Sequence, residues 1–138
     1  MIALDADVLS RLLQGDPVIG QKVAAVPAAD RAIPIIVVEE VLRGRFNLIR
    51  QAESGKARIT LERAYELFQS ALSDVSKMQV LGYSAAAHVL AEGWRKQKLK
   101  VGTHDHRIGA ICVSHGVKLA TRNQRDFAQV PGLSLEIW

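Results

Sequence analysis

Cysteine is nearly absent from this sequence. The 138-residue chain has one, Cys112, which excludes an internal disulfide and any multi-cysteine metal site. Aromatic residues make up only 5%. Phe46, Tyr65, Phe68, Tyr83, Trp94, Phe127 and Trp138 are scattered and give no stacking platform for bases; most are assigned to the core. No apolar run approaches the ~20 residues that a membrane span needs. The opening MIALDADVLS has no basic region before its apolar run and meets an acid at Asp5, so it does not read as a signal peptide. Repeats, low-complexity tracts and linkers are also missing, so residues 1–138 read as one domain. A cytoplasmic protein without membrane contact is the expectation.

What is present is an ordinary folded composition, 49% hydrophobic and 23% charged, with a net charge of +4. The basic residues cluster: Arg43, Arg45, Arg50, Lys56, Arg58 and Arg63 in one stretch, Arg95, Lys96, Lys98 and Lys100 in a second, Arg122 and Arg125 in a third. Such clusters are more often solvated helix faces than binding sites, so they support a polyanion partner without establishing one.

Strand and helix signals alternate. Met1 to Leu4 is a short apolar run, read as a buried strand. Val8, Leu9, Leu12 and Leu13 have helical spacing and stop at Gly15, and Asp16-Pro17 opens a further helix. Ile33 to Val37 is β-branched nearly throughout and reads as the second strand, followed by a helix from about Val38 to Ser54. Leu61, Ala64, Tyr65, Phe68, Leu72 and Val75 form an amphipathic stripe, predicting a helix over Thr60 to Met78 and a long helical hairpin. The stripe suits core or a protein–protein surface. Val80-Leu81 is a weak strand, and Ser84 caps a helix through Lys98. Asp105 to His115 is helical up to Gly116. Val117 to Ala120 and Leu133 to Ile137 are strands. The predicted fold class is an α/β sandwich with a mainly parallel sheet, whose site lies beyond the carboxyl ends of the strands.

The acids fall where that geometry would gather them. Asp5 follows the first strand, Glu39 and Glu40 follow the second, Asp105 begins a late helix, and Asn123 and Asp126 follow the strand ending in Ala120. Carboxylates drawn together repel and lose hydration, and a divalent cation offsets that cost. Mg²⁺ or Mn²⁺ suits such oxygens and can activate water toward a phosphodiester. Each acid also has a plainer use as a helix cap, a dipole partner or a turn residue. Asp7 is expected to cap the first helix, leaving Asp5 free. His88, His104, His106 and His115 include a pair flanking Asp105, expected to be solvent-exposed neighbours. Cys112 reads as a small core residue.

Three blocks resemble the PIN-domain ribonucleases. LDADVLS resembles their LDTNVLS-type opening. VVEEVLRGRF resembles the second motif, with Glu40 followed four positions later by Gly44. GTHDHRIGAICVSHGVKLATRNQRDF resembles the third, from Asp105 to Thr121-Arg122-Asn123. The blocks stand in family order and span essentially the whole chain; the nearest branch is that of VapC-like toxins. The resemblance implies a compact α/β/α sandwich and Mg²⁺- or Mn²⁺-dependent endoribonuclease activity. It also implies a homodimer and inhibition by a cognate antitoxin. It places Asp5, Glu40 and Asp105 in the acidic core as metal ligands, with Asn123 at the fourth position and Asp126 at the periphery. Asn123 carries no charge there, which favours one metal over two. Thr121 is expected to hydrogen-bond the carboxylates. The implied reaction is in-line attack of water on phosphorus, with Glu40 positioning the metal or taking the water's proton. The basic stretches would hold flanking phosphates, and an exposed single-stranded loop of tRNA or rRNA is the expected substrate.

Two other readings compete. Asp5-Ala6-Asp7 after a first strand has the spacing of haloacid-dehalogenase-type phosphatases. Leu9, however, stands where that family has Thr or Val, and no late acidic pair is found. A PIN-like module that binds RNA or protein without cutting is the non-enzymatic alternative.

Overall fold

Every pairing in the central sheet is parallel. In the computed structural model, which describes residues 1–56 and 58–138, the strands are β1 (Ile2–Leu4), β2 (Arg31–Pro34), β3 (Gln79–Leu81), β4 (Lys118–Thr121) and β5 (Leu135–Ile137). Their order is β3-β2-β1-β4-β5. Parallel neighbours need crossovers, supplied here by α1 (Ala6–Leu13), α2 (Pro17–Ala24), α3 (Ile35–Glu53), α4 (Leu61–Ser76), α5 (Ala85–Lys96), α6 (Thr103–His115) and α7 (Gln124–Phe127). β1 is central, and Ile2, Ala3 and Leu4 are all buried, as a strand covered on both faces requires. The chain winds outward from β1 in one direction through β2 and β3, then in the other through β4 and β5. The direction reverses between β1 and β4, and a crevice opens at the carboxyl ends of strands at such a point.

The α/β class, the parallel sheet and the helical hairpin of α3 on α4 are as the sequence predicts. One local reading is corrected. The second strand does not run from Ile33 to Val37. It ends at Pro34, and Ile35, Ile36 and Val37 form the first turn of α3. Pro34 has no N–H to extend a ladder and takes φ −64°, which suits the residue before a helix. The β-branched residues cost only about half a kcal/mol each in helix propensity, and burial of Ile36 and Val37 outweighs that. The hairpin stripe is only half core: Ala64 and Val75 are buried, while Leu61, Tyr65 and Leu72 remain 40–51% exposed. The segment after β4 is a short helix, α7, pinned to the core by Phe127 at 1% exposure.

α6 ends as expected: Gly116 takes φ +64°, and the left-handed cap turns the chain into β4. Among the described residues no helix is long and apolar enough to cross a membrane.

Candidate active site

Asp5 is the first residue past β1, and its N–H still donates to the Ala120 carbonyl at 3.0 Å, continuing the sheet by one step. Its carboxylate is nearly enclosed, the residue being 6% exposed. Oδ1 accepts from the Ala6 N–H at 2.7 Å, so Asp5 caps α1, and Oδ2 accepts from the Thr121 hydroxyl at 2.7 Å. Thr121, fully buried at the end of β4, accepts in turn from the Asn123 N–H at 3.0 Å. The hydroxyl bond that the sequence suggested is therefore present. Burial raises the Asp5 pKa, the two hydrogen bonds oppose the rise, and the charges of Glu40 and Asp7 add to it.

The expected capping role of Asp7 falls to Asp5 instead. Asp7 lies in the first turn of α1 with its side chain 53% exposed, 3.6 Å from Arg11 and 3.9 Å from Arg122. A cap residue must sit just outside the helix, and the turn of the chain after Leu4 gives that place to Asp5. Asp7 is thus turned to two arginines, while its charge still acts on Asp5.

Asp105 stands in the first turn of α6, which begins at Thr103, two residues earlier than predicted. Gly102 precedes the helix and no side chain caps it, so the Asp105 carboxylate is not spent on its own helix. It is half-buried, and its pKa is pushed up to about 6 by that burial and by the charges of Asp5, Glu40 and Asp126, against the opposing influence of His104. Four acids from four separate segments thus share one electrostatic field at the carboxyl edge of the sheet. As placed, no three His, Cys, Asp or Glu side chains among the described residues are close enough to enclose a metal ion. The donor set nevertheless suits a hard divalent cation, being all carboxylate oxygen and held at a cost that positive charge would relieve.

Glu40 lies in the second turn of α3, its side chain 29% exposed, and its Oε1 accepts from His104 Nδ1 at 2.7 Å. The flanking histidines are therefore not solvent-exposed neighbours. His106 is 6% exposed with Nε2 3.1 Å from the Leu99 carbonyl, and the His104 side chain is 26% exposed against α3. No motif in the sequence singles out His104, because its partners lie on another helix.

Asn123 and Asp126 hold each other. The Asn123 amide donates to Asp126 Oδ2 at 3.0 Å, and its carbonyl oxygen accepts from the Asp126 N–H at 3.3 Å. The Asn123 side chain caps α7 and meets the acidic cluster through Asp126. Asn123→Ala is expected to cost about 1 kcal/mol of stability, read as a lower thermal midpoint, while Asn123→Asp should retain the cap.

Several basic residues are already engaged. Arg43 pairs with Glu39, Arg63 with Glu66 and Arg95 with Glu92, all within a helix. Cys112 is buried with its thiol pushed up to about 12 by desolvation, so it is inert core, as read from the sequence. A hollow of about 280 Å³ lined by Leu12, Leu13 and Met78 together with Arg31, Asp74 and Lys77 contains none of the clustered acids.

A parallel sheet with carboxylates gathered past the ends of β1 and β2 and at the start of α6 is the plan of a PIN-domain nuclease. No family model matches the sequence. A tRNA(fMet)-specific endonuclease VapC from Salmonella typhimurium is 30% identical over 113 residues, an alignment covering 72% of this chain and 85% of the relative. A ribonuclease VapC1 from Rickettsia felis is 42% identical over 40 residues, only 29% of this chain and 30% of the relative. Among solved structures, a toxin-antitoxin complex from Klebsiella pneumoniae aligns with a TM-score of 0.73 at 25% identity, covering 96% of this chain and 95% of that one. The chain belongs to the VapC family, the PIN-domain ribonuclease toxins of toxin–antitoxin pairs.

Proposed function

We propose that this chain is an endoribonuclease toxin that depends on Mg²⁺ or Mn²⁺, with Asp5, Glu40 and Asp105 as the residues that would hold the ion. The observation that carries this reading is the gathering of acids from four segments around a half-buried Asp105, whose carboxyl is pushed to about 6 by burial first and by the charges of Asp5, Glu40 and Asp126 after it. A bound divalent ion supplies Lewis-acid polarisation of the scissile phosphate and lowers the pKa of water. The protein's own part is to fix the acids. The Ala6 N–H and Thr121 hydroxyl orient Asp5 from two sides, Asp105 stands in the first turn of α6 without capping it, and Glu40 would position the ion or take the proton of an attacking water. Asn123 and Asp126 brace the rim.

RNA is the proposed substrate, in the form of an exposed single-stranded loop of tRNA or rRNA. The Salmonella relative, named for tRNA(fMet), supports that class. Flanking phosphates would lie on basic residues near the acids, with Arg122 3.9 Å from Asp7 and Lys98 and Lys100 in the turn leading to α6. A cognate antitoxin is the proposed protein partner, in line with the Klebsiella complex, and a homodimer in the cytoplasm the proposed form.

The test is cleavage of total cellular RNA. Purified protein with Mn²⁺ is expected to produce discrete fragments, EDTA to stop cleavage, and excess Mn²⁺ to restore it. Cleavage that persists at full rate under chelation would overturn the metal dependence.

A further inference from the structure

Both ring nitrogens of His104 face glutamates of α3. Nδ1 donates to Glu40 Oε1 at 2.7 Å, and Nε2 stands 3.7 Å from Glu39 Oε1. The two partners are 64 residues apart in sequence, so this contact ties the start of α6 to α3. Glu39 is itself held by Arg43, one turn further along the same helix. Arg43, Glu39, His104 and Glu40 form a continuous polar series that ends on the one acid of the cluster carried by a long, flexible side chain.

That flexibility is the difficulty His104 addresses. Asp5 and Asp105 have short side chains on backbone positions fixed by the sheet edge and the first turn of α6. Glu40 has one more rotatable bond, and the negative charges it faces favour its swinging outward into water. A donor that captures Oε1 restrains the side chain and leaves Oε2 open, because a carboxylate has lone pairs on both oxygens. Ligating carboxylates elsewhere are generally held this way, and loss of such a partner typically weakens metal affinity.

We propose that His104 is a positioning residue, holding the Glu40 carboxylate turned toward the space it shares with Asp5 and Asp105 so that it can join them on a divalent ion. The inference rests on the metal-site reading above and goes beyond it by assigning the orientation of Glu40 to one residue. His104 touches neither phosphate nor metal; it acts through Glu40.

The experiment is calorimetric titration of the full chain with Mn²⁺, in the absence of RNA, for wild type, His104→Ala, His104→Asn and Asp105→Asn. Thermal midpoints of the metal-free proteins are recorded alongside. His104→Ala is expected to weaken Mn²⁺ binding about 10- to 100-fold. His104→Asn, whose amide N–H₂ lies near the place of Nδ1, should recover most of the loss. Mn²⁺ binding by His104→Ala that equals or exceeds that of wild type overturns the proposal, since the bond would then be neutral or competing with the metal. Equal weakening in the alanine and asparagine variants overturns it too, because a packing role and not the donor would be responsible. Asp105→Asn separates the two levels. If it loses Mn²⁺ binding while His104→Ala keeps it, only the positioning role falls; if it also binds like wild type, the metal site itself falls.

Discussion

Asp105→Asn will bring RNA cleavage to background and, in the metal-free protein, raise the thermal midpoint. The two effects have one cause. The Asp105 carboxyl is pushed from 3.8 to about 6, first by burial and then by the charges of Asp5, Glu40 and Asp126. At neutral pH the folded protein therefore carries an ionised group that its surroundings disfavour. A shift of that size in a fully enclosed group would correspond to about 3 kcal/mol. Asp105 is only half-buried and solvent screens part of the repulsion, so about 1–2 kcal/mol is the reasonable gain on removing the charge. For a domain of this size that is a rise of about 3–8 °C. Asparagine keeps the shape and cannot replace the charge at a divalent ion, so the activity loss should be on the order of 10²–10³-fold or more, as when one preorganised electrostatic contact is deleted elsewhere. Melting curves in EDTA and RNA cleavage in Mn²⁺, on the same two preparations, read both. A variant that melts lower than wild type would show that Asp105 serves the fold, and one that cuts at the wild-type rate would remove it from the site.

Opposite signs for stability and activity also explain how much of the site is legible in the sequence. An apolar run that stops at an acid, as Ile2 to Leu4 stops at Asp5, announces a strand end with a charge at the sheet edge, because burial forbids the charge any earlier. Glu40 and Asp105 stand out for a similar reason: each sits in an early turn of a helix that follows an apolar or glycine-marked boundary. Gly116 and the Thr121 hydroxyl also follow from local rules. What fails is whatever depends on partners distant in sequence. His104 has no local signature, since Glu40 comes to it only through the packing of α3 on α6. The β-branched run at Ile33 to Val37 looks like strand, and only the pairing of Pro34 with Leu81 at the end of β2, with Ile36 and Val37 then packed beneath a helix, decides where strand gives way. Asn123, read as a site amide on motif grounds, also caps α7 and holds Asp126 three residues on, a local contact of the kind that turn chemistry in the sequence does announce. The hairpin stripe of Leu61, Tyr65 and Leu72 is periodic, but periodicity gives the apolar side of a helix and not what lies against it.

The same carboxyl fixes how the protein should respond to pH, and the sign is specific. Asp105 has a higher pKa folded than unfolded, so the native state binds its proton more tightly. Its contribution to stability is full below about 3.8, declines as pH rises, and is lost above about 6. Asp5 is raised as well and pulls the same way. Asp16, Glu92 and Glu136 are lowered by their partners and act oppositely, but their contribution fades only as pH falls below the ordinary carboxylate range, outside the window between about 4.5 and 6. The difference between wild type and Asp105→Asn isolates this group: the thermal advantage of the variant should be complete above pH 6, shrink through pH 5 and vanish near pH 4. Metal binding must run the other way. A divalent ion needs the carboxylate, so each pH unit below about 6 should weaken Mn²⁺ binding by up to tenfold for this group alone. Calorimetry from pH 7.5 to 5 measures one slope and melting in EDTA the other. A Mn²⁺ affinity flat across that range, or a variant advantage that grows as the solution is acidified, would mean that Asp105 does not share its field with the other acids, and the proposed metal site would lose its physical basis.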